Sequence, residues 1–190
     1  RTTWMSEISG GVSTEMFGKA FDKAMADDSI KRIVINVDSP GGSVTGVEEL
    51  AGKIFAARGR KPITAFASGG QVASAAYWIA TAADELIATP SCTAIGSIGV
   101  VQVHQVRDQS DTTTTVIRST PNKADMNSYE QLSASAKKNV TDKIMSIHNV
   151  FEATVAKHRG VDVKTVQSDY GQGRTYASRE ALAAGMIDRI

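Results

Sequence analysis

The sequence has 190 residues, 42% hydrophobic and 22% charged, which is typical of one globular α/β domain of ordinary size. Its 21 basic and 20 acidic side chains leave a net charge of +1, which argues against an electrostatic surface for nucleic acid or an anionic membrane. The single cysteine, Cys92, excludes an internal disulfide and any zinc site that needs two thiolates from this chain. No apolar run approaches the roughly 20 residues that span a bilayer, and no signal peptide is visible. Because the chain begins with Arg1, we expect a fragment or processed form that lacks N-terminal residues.

Short β-branched runs alternate with amphipathic stretches along the chain. The predicted strands are 4–8, 32–37, 63–66, 86–88, 100–104, 113–117 and 174–176. The predicted helices are 13–26, 44–57, a short apolar one from residue 74, then 133–158, 162–167 and 178 to about 185. Ser13 and Ser178 are the expected caps of the first and last of these, and 119–129 is expected to be a polar loop. Such alternation predicts a single α/β domain over residues 1–190, with a mostly parallel sheet covered by helices.

Two glycine turns follow predicted strands, DSPGG at 38–42 and ASGG at 67–70, and the second leads to Ser74. Ser74 opens the short apolar helix, where unpaired first-turn N–H groups can stabilise an anion. It is therefore a candidate nucleophile, although an ordinary helix N-cap is the commoner role for such a serine. Ser68 competes with it, but its place directly before two glycines is typical of a turn residue.

A serine nucleophile needs a base, most often histidine or else lysine. His148 and His158 fall in the predicted long helix, His158 in its last turn, where a helix-end or surface role is expected. His104 ends a predicted strand and is one candidate. Lys123, alone in the polar loop, is the other, because burial favours the neutral form of a lysine.

An oxyanion hole needs two N–H donors beside the nucleophile. The amide of Ala75 is one candidate, and the turn at Gly41 and Gly42 supplies the other. That turn follows a predicted strand, and open α/β sheets place their sites at the carboxyl ends of strands.

Several segments, in this order, resemble the signal peptide peptidase A family. They are DSPGGSV at 38–44, ASAAYWI at 73–79 with TAAD at 81–84, GSIGV at 96–100, GRTY at 173–176 and ALAAGMID at 181–188. The likeness covers nearly the whole chain and is strongest to the phage and prophage branch of capsid (head maturation) proteases. The segment SGGQV at 68–72 departs from the family's usual run, which bears on the shape of the nearby pocket.

The resemblance assigns the roles residue by residue. It implies Ser74 as nucleophile, Lys123 as general base and Gly42 as the oxyanion glycine with Gly41 beside it. It also implies a Clp protease/crotonase-like fold of stacked ββα units, homo-oligomers, and no metal or organic cofactor.

These observations predict a serine endopeptidase with a Ser-Lys dyad. We expect peptide or protein substrates, either signal peptide remnants or phage scaffold and capsid proteins, and no nucleic acid partner. The substrate is expected to bind as an added strand, with small or apolar side chains near the cut. The residues expected to line its path are Ser43, Val44, Gly96, Ser97, Ile98 and Gly99.

Three alternatives stay open. One is a Clp-type peptidase that pairs Ser74 with His104 and an aspartate, the second is a crotonase-like acyl-CoA enzyme, and the third is a non-catalytic assembly protein. The location is also left open. The chain is attached to a membrane through a segment that is absent from this sequence, or it lies in the cytoplasm or a phage prohead.

Overall fold

The computed structural model describes residues 11–107 and 112–190, so the predicted strand 4–8 lies outside the described residues. The chain divides into two compact units. The first unit comprises the residues up to Gly99 together with Phe151–Ile190, and the second unit is Val100–Val150.

Six helices and five strands lie in the described residues. The helices are α1 (Thr14–Ala26), α2 (Val47–Ala56), α3 (Ala75–Ala80), α4 (Ala134–Arg159), α5 (Val163–Asp169) and α6 (Ser178–Ala183). The strands are β1 (Ile33–Ser39), β2 (Ile63–Ala73), β3 (Glu85–Ala88), β4 (Ala94–Gly96) and β5 (Thr175–Tyr176). Within this part of the chain, none of the helices is both long enough and apolar enough to cross a membrane.

The strands form one sheet in the order β1-β2-β4-β5, with β3 also paired to β2. The first half of β2 pairs with β3, and its last three residues pair with β4. The pairs of β2 with β1, β3 and β4 are parallel, whereas β4 and β5 are antiparallel. The prediction of an α/β chain with a mostly parallel sheet is therefore confirmed.

The predicted glycine turn at 67–70 is wrong, because β2 continues through it. The register between β1 and β2 moves from Val37–Ala67 to Ser39–Val72, so residues 68–71 bulge opposite a single residue of β1. Pairing of β2 with β4 begins at Gln71, the last of these residues, which keeps the segment in the sheet.

Gly69 is required inside this bulge. A Cβ at Gly69 would lie 2.1 Å from the carboxyl carbon of Asp38, so the carboxylate takes the space of a side chain. Ser68 is an exposed residue of the same bulge and not of a turn between strand and helix.

The predicted strands 100–104 and 113–117 are also wrong, because neither segment is a strand in the structure. Their alternating pattern is typical of a half-buried strand, yet Val101 is 85% exposed and Ile117 is 90% exposed. The first segment contacts the polar loop instead, where Nε2 of His104 lies 2.8 Å from the carbonyl oxygen of Asn127. The 119–129 loop itself is confirmed as a series of turns.

Most predicted helix ends are confirmed. The hydroxyl of Ser13 accepts a hydrogen bond from the amide of Met16 at 3.4 Å, and Gly160 follows α4 with a φ of +67°. Ser178 is an exception, because Ala177 is the N-cap of α6. The buried hydroxyl of Ser178 donates to the carbonyl of Pro90 at 3.1 Å.

Candidate active site

Ser74 joins the end of β2 to the first turn of α3 in an uncommon backbone conformation. Its φ of +53° and ψ of −127° lie outside the regions that non-glycine residues ordinarily adopt, at a cost of about 1–3 kcal/mol. Its amide donates to the carbonyl of Gly96 in β4 at 2.7 Å, and its carbonyl accepts the first hydrogen bond of α3 from Trp78 at 3.0 Å. The strand on one side and the helix on the other therefore hold this strained residue in place.

The hydroxyl of Ser74 does not cap α3, although Ser74 stands at the N-cap position. Among the described residues it has no hydrogen-bond partner, and the residue is half-buried. The ordinary N-cap interpretation is thus contradicted, and the hydroxyl remains available for other chemistry. Ala75, as the first residue of α3, has an amide with no acceptor inside the helix.

The turn after β1 lies directly against this serine. A Cβ at Gly41 would lie 2.6 Å from Ser74 Cβ and 3.0 Å from the amide nitrogen of Ala75, and the φ of Gly41 is +100°. Only glycine allows this close approach. Gly42 is exposed and has a φ of +152°, with open space where a side chain would stand.

The turn continues into residues predicted to line the substrate path. The hydroxyl of the exposed Ser43 donates to Thr45 Oγ1 at 3.2 Å. The carbonyl of the half-buried Val44 accepts from the amide of Val47 at the start of α2, also at 3.2 Å. These contacts fix the turn to α2.

The segment Gly96 to Gly99 borders Ser74 on the other side. Gly96 has a φ of +110°, and a Cβ there would lie 2.6 Å from Met186 Cε. Ser97 has a φ of +51°, and its amide donates to the carbonyl of Arg174 at 2.8 Å. Ile98 is buried, and Gly99 lies close to Gly173.

Helix α3 is buried on most of its surface and is held at both ends. The ring of Trp78 stacks on that of Phe151, with centroids 4.4 Å apart and planes 7° from parallel. The hydroxyl of Tyr77 donates to the carbonyl of Met186 at 2.9 Å, and burial raises the pKa of this tyrosine. The first turn of α3 is therefore carried by a rigid helix.

Arg58 holds the C-terminal end of α3, a role that the sequence did not suggest. Its guanidinium donates to four carbonyl oxygens at 2.6–3.2 Å, those of Thr81, Ala82, Ala83 and His158. Because the last carbonyls of a helix lack partners within it, one cation here completes the C-terminal ends of both α3 and α4. Desolvation by burial lowers the pKa of this arginine.

His158 is buried, so the predicted helix-end position is confirmed and the surface role is wrong. Its Nδ1 lies 3.0 Å from the hydroxyl of Thr81, and its ring stacks on Phe55 at 4.6 Å. Burial, together with the charges of Arg58 and Lys157, lowers its pKa to about 4. The imidazole is therefore neutral at physiological pH. It packs α4 against Phe55 of α2 and against Thr81, which directly follows α3.

Both candidate bases lie in the second unit. Lys123 is exposed in a turn where its amide donates to the carbonyl of Thr120 at 3.2 Å. His104 is half-buried, with Nε2 2.8 Å from the carbonyl oxygen of Asn127. Since a carbonyl oxygen only accepts, Nε2 of His104 is the donor of this hydrogen bond.

The first unit thus assembles a serine hydroxyl, the first amide of a buried helix and a glycine turn at the carboxyl end of parallel strands. A strained strand-to-helix serine beside amide donors is an arrangement suited to acyl transfer through a covalent intermediate. The fold and the site define a chain of the serine-nucleophile class.

Comparison with known proteins agrees with this class. The model of peptidase family S49 matches residues 56–190. Protease 4 of Salmonella typhi is 30% identical over 97% of this chain and 30% of its own length. The capsid assembly protease C of Escherichia phage lambda is 26% identical over 100% of this chain and 43% of its own length. A putative signal peptide peptidase SppA of Enterococcus faecium is 30% identical over 88% of this chain and 49% of its own length.

Because the family match covers most of the residues, this chain belongs to peptidase family S49. The resemblance to signal peptide peptidase A and to the phage capsid proteases is confirmed. The chain spans less than half the length of these three relatives.

Proposed function

We propose that this chain is the catalytic domain of a serine endopeptidase, with Ser74 as the nucleophile and Lys123 as the general base. The conformation of Ser74 is the observation that carries the proposal. Its φ of +53° is held by the strand and helix on either side, while its hydroxyl takes no part in capping. Strain that the surrounding structure maintains is typical of functional sites.

In the proposed reaction, neutral Lys123 accepts the hydroxyl proton as Ser74 Oγ bonds to the scissile carbonyl carbon. The amides of Ala75 and Gly42 stabilise the resulting oxyanion. The carbon–nitrogen bond then breaks, and the leaving amine takes the proton from Lys123. Water, deprotonated by the same lysine, hydrolyses the acyl-enzyme and returns Ser74 to its starting state.

The general base is the part of the proposed site that the first unit does not supply. A lysine acts as a base only in its neutral form, which burial favours, whereas Lys123 is exposed in the second unit. The proposal therefore requires Lys123 Nζ to come within hydrogen-bond distance of Ser74 Oγ and to be enclosed there. The partner serine belongs either to the same chain or to another copy in a homo-oligomer.

The family membership supports the finer features of the proposal. The three relatives are named as proteases or a peptidase, and one of them is a capsid assembly protease. We therefore propose extended peptide segments as substrates, in signal peptide remnants or in phage scaffold and capsid proteins. We also propose a single Clp/crotonase-like domain, located at a membrane within a longer protein or else in the cytoplasm or a prohead.

The direct test is labelling with a fluorophosphonate probe and turnover of casein. We expect Ser74→Ala to abolish both, while Ser68→Ala, a matched serine in the same strand region, retains both. Lys123→Ala should lose turnover, with Lys137→Ala as the matched exposed lysine of the second unit. Wild-type turnover in Ser74→Ala or Lys123→Ala would refute the dyad.

His104 is the candidate base of a second mechanism, because its Nε2 is bound to the carbonyl oxygen of Asn127 and Nδ1 is the ring nitrogen left to accept a proton. A Ser-His pair predicts that His104→Ala abolishes turnover while Lys123→Ala retains it. The two alternatives outside the protease class are tested separately. A thermal shift with acyl-CoA would favour an acyl-CoA enzyme, and failure of the probe to label the wild-type chain would favour an assembly protein.

A further inference from the structure

Four residues that flank the ends of four neighbouring strands stand in one row, at the end of the sheet where the candidate nucleophile lies. Ser39 pairs with Val72, and continuing this register by two residues places Gly41 beside Ser74, where the two are in contact. The pair Ala73–Gly96 likewise places Ser74 beside Ser97.

The row ends at β5. The antiparallel pair Gly96–Thr175 places Ser97 opposite Arg174. The amide of Ser97 donates a hydrogen bond to the carbonyl of Arg174, which agrees with this register. The order along the edge is therefore Gly41, Ser74, Ser97 and Arg174. Arg174 is the charged member of this row.

The backbone of Arg174 is fixed on both sides. Its amide donates to the carbonyl of Gly171 at 3.0 Å, which closes a four-residue turn. Gln172 and Gly173, at the centre of that turn, have φ values of +50° and +87°, as in a type I′ turn. The three non-glycine residues with positive φ in the described part of the chain are Ser74, Ser97 and Gln172. All three belong to this row or to the turn that ends it.

The side chain of Arg174, in contrast, is not engaged. It is exposed, and within the described residues its guanidinium has no ion pair and no hydrogen bond. An unpaired cation on a fixed backbone, in the same row as the candidate nucleophile and two strands away from it, is typical of a position that contacts a ligand. A guanidinium matches the geometry of carboxylates and phosphates, and the carboxylates of Asp and Glu are the groups of this kind in an unmodified peptide.

The row also gives the approximate distance between Arg174 and Ser74. Neighbouring strands lie about 4.8 Å apart, so Arg174 is roughly 10 Å from Ser74, two strands away. An extended peptide advances about 3.3 Å per residue, so a peptide that runs along this row, across the ends of the strands, covers the same span in about three residues.

We propose that Arg174 is a specificity-determining residue, which binds an acidic side chain of the substrate about three residues from the scissile bond. This inference rests on the proposed peptidase function and adds a charged subsite to it. The apolar preference expected next to the cut is unaffected, because Ala75 and the neighbouring alanines lie at the nucleophile itself.

The test uses the full chain and peptides designed from the sites that it cleaves in casein. Each peptide is made with Asp or with Asn at each position from four residues before to four residues after the bond. For the wild type we expect an Asp-over-Asn ratio in kcat/KM of about tenfold at one position near the third residue, since a charged hydrogen bond contributes this much. The ratio should decrease in high salt.

The variants separate recognition from folding. Arg174→Gln should bring the ratio to about one, and Arg174→Glu should reverse the preference towards a Lys-containing peptide, which a structural role would not do. Arg179→Gln, an exposed arginine on α6, should keep the wild-type ratio. A wild-type ratio of one at every position, or an unchanged ratio in both Arg174 variants, would overturn the subsite. Absence of both casein cleavage and Ser74 labelling in the wild type would instead overturn the peptidase function, and the subsite with it.

Discussion

A side chain at Gly41 would begin 2.6 Å from Ser74 Cβ, closer than two such atoms can approach. Gly41 is therefore part of the wall against which the serine is positioned. The glycine turn after β1 and the serine after β2 are distant in sequence and form one local structure.

We expect Gly41→Ala to reduce kcat/KM by about 100-fold, because a displacement of about 1 Å at a reacting group costs this much. Gly59→Ala is the matched control. Gly59 also has a positive φ, +78°, but no atom lies within 4 Å of its Cβ position, so the change adds strain without touching Ser74. Fluorophosphonate labelling and peptide turnover provide the measurement. Labelling of Gly41→Ala at the wild-type rate would contradict the positional role.

Removal of the Arg58 guanidinium should destabilise the fold. Arg58→Met leaves four carbonyl oxygens at the ends of α3 and α4 without their donor, so we expect the free energy of unfolding to fall by about 3 kcal/mol. Arg60→Met, at an exposed arginine two residues on, should change it by less than about 0.5 kcal/mol. Urea denaturation followed by tryptophan fluorescence gives both values. Equal effects of the two changes would show that the contacts of Arg58 contribute little.

His158 should make stability depend on pH. Its pKa in the folded chain is about 4, below the 6.5 of an unfolded histidine, so the unfolded state binds more protons between these values. Stability is therefore fully present above pH 6.5 and decreases as the pH falls towards 4. Between pH 7 and pH 4.5 we expect the wild type to lose about 2 kcal/mol more than His158→Gln, which lacks the titrating group. The free energy of unfolding of both proteins is measured by urea denaturation at both pH values. An equal decrease in the wild type and in His158→Gln would exclude this histidine as the cause.

The stability of the chain should depend on how well the residue at position 172 tolerates a positive φ. The φ of +50° at Gln172 suits asparagine better than glutamine and is unfavourable for a β-branched residue. We expect Gln172→Asn to raise the free energy of unfolding by about 0.5 kcal/mol and Gln172→Val to lower it by about 1–2 kcal/mol. Thermal and urea unfolding of the pair provide the measurement. Effects of the same sign would indicate that the turn changes conformation.

Local patterns were sufficient to predict most of the helices and the first strands. Ser13 begins α1 and Gly160 follows α4, because capping and left-handed termination depend on a few neighbouring residues. The parallel sheet followed from the alternation of strands and helices. The strands predicted at 100–104 and 113–117 were wrong, because an alternating pattern does not reveal whether a partner strand exists. Strand β4 was missed for the opposite reason, since three residues ending in glycine form a strand only through pairing with β2 and β5.

The same division holds at the site. The sequence was enough to predict Ser74 as the serine to consider, together with Gly41 and Gly42, because short motifs in a fixed order carry the resemblance to the family. The three-dimensional structure was needed to show that the hydroxyl of Ser74 does not cap its helix and that Gly41 touches this serine. It also decided that Arg174, a hundred residues downstream, stands in the same row. Register between strands sets such proximity, and register depends on hydrogen bonds between segments that no single segment encodes.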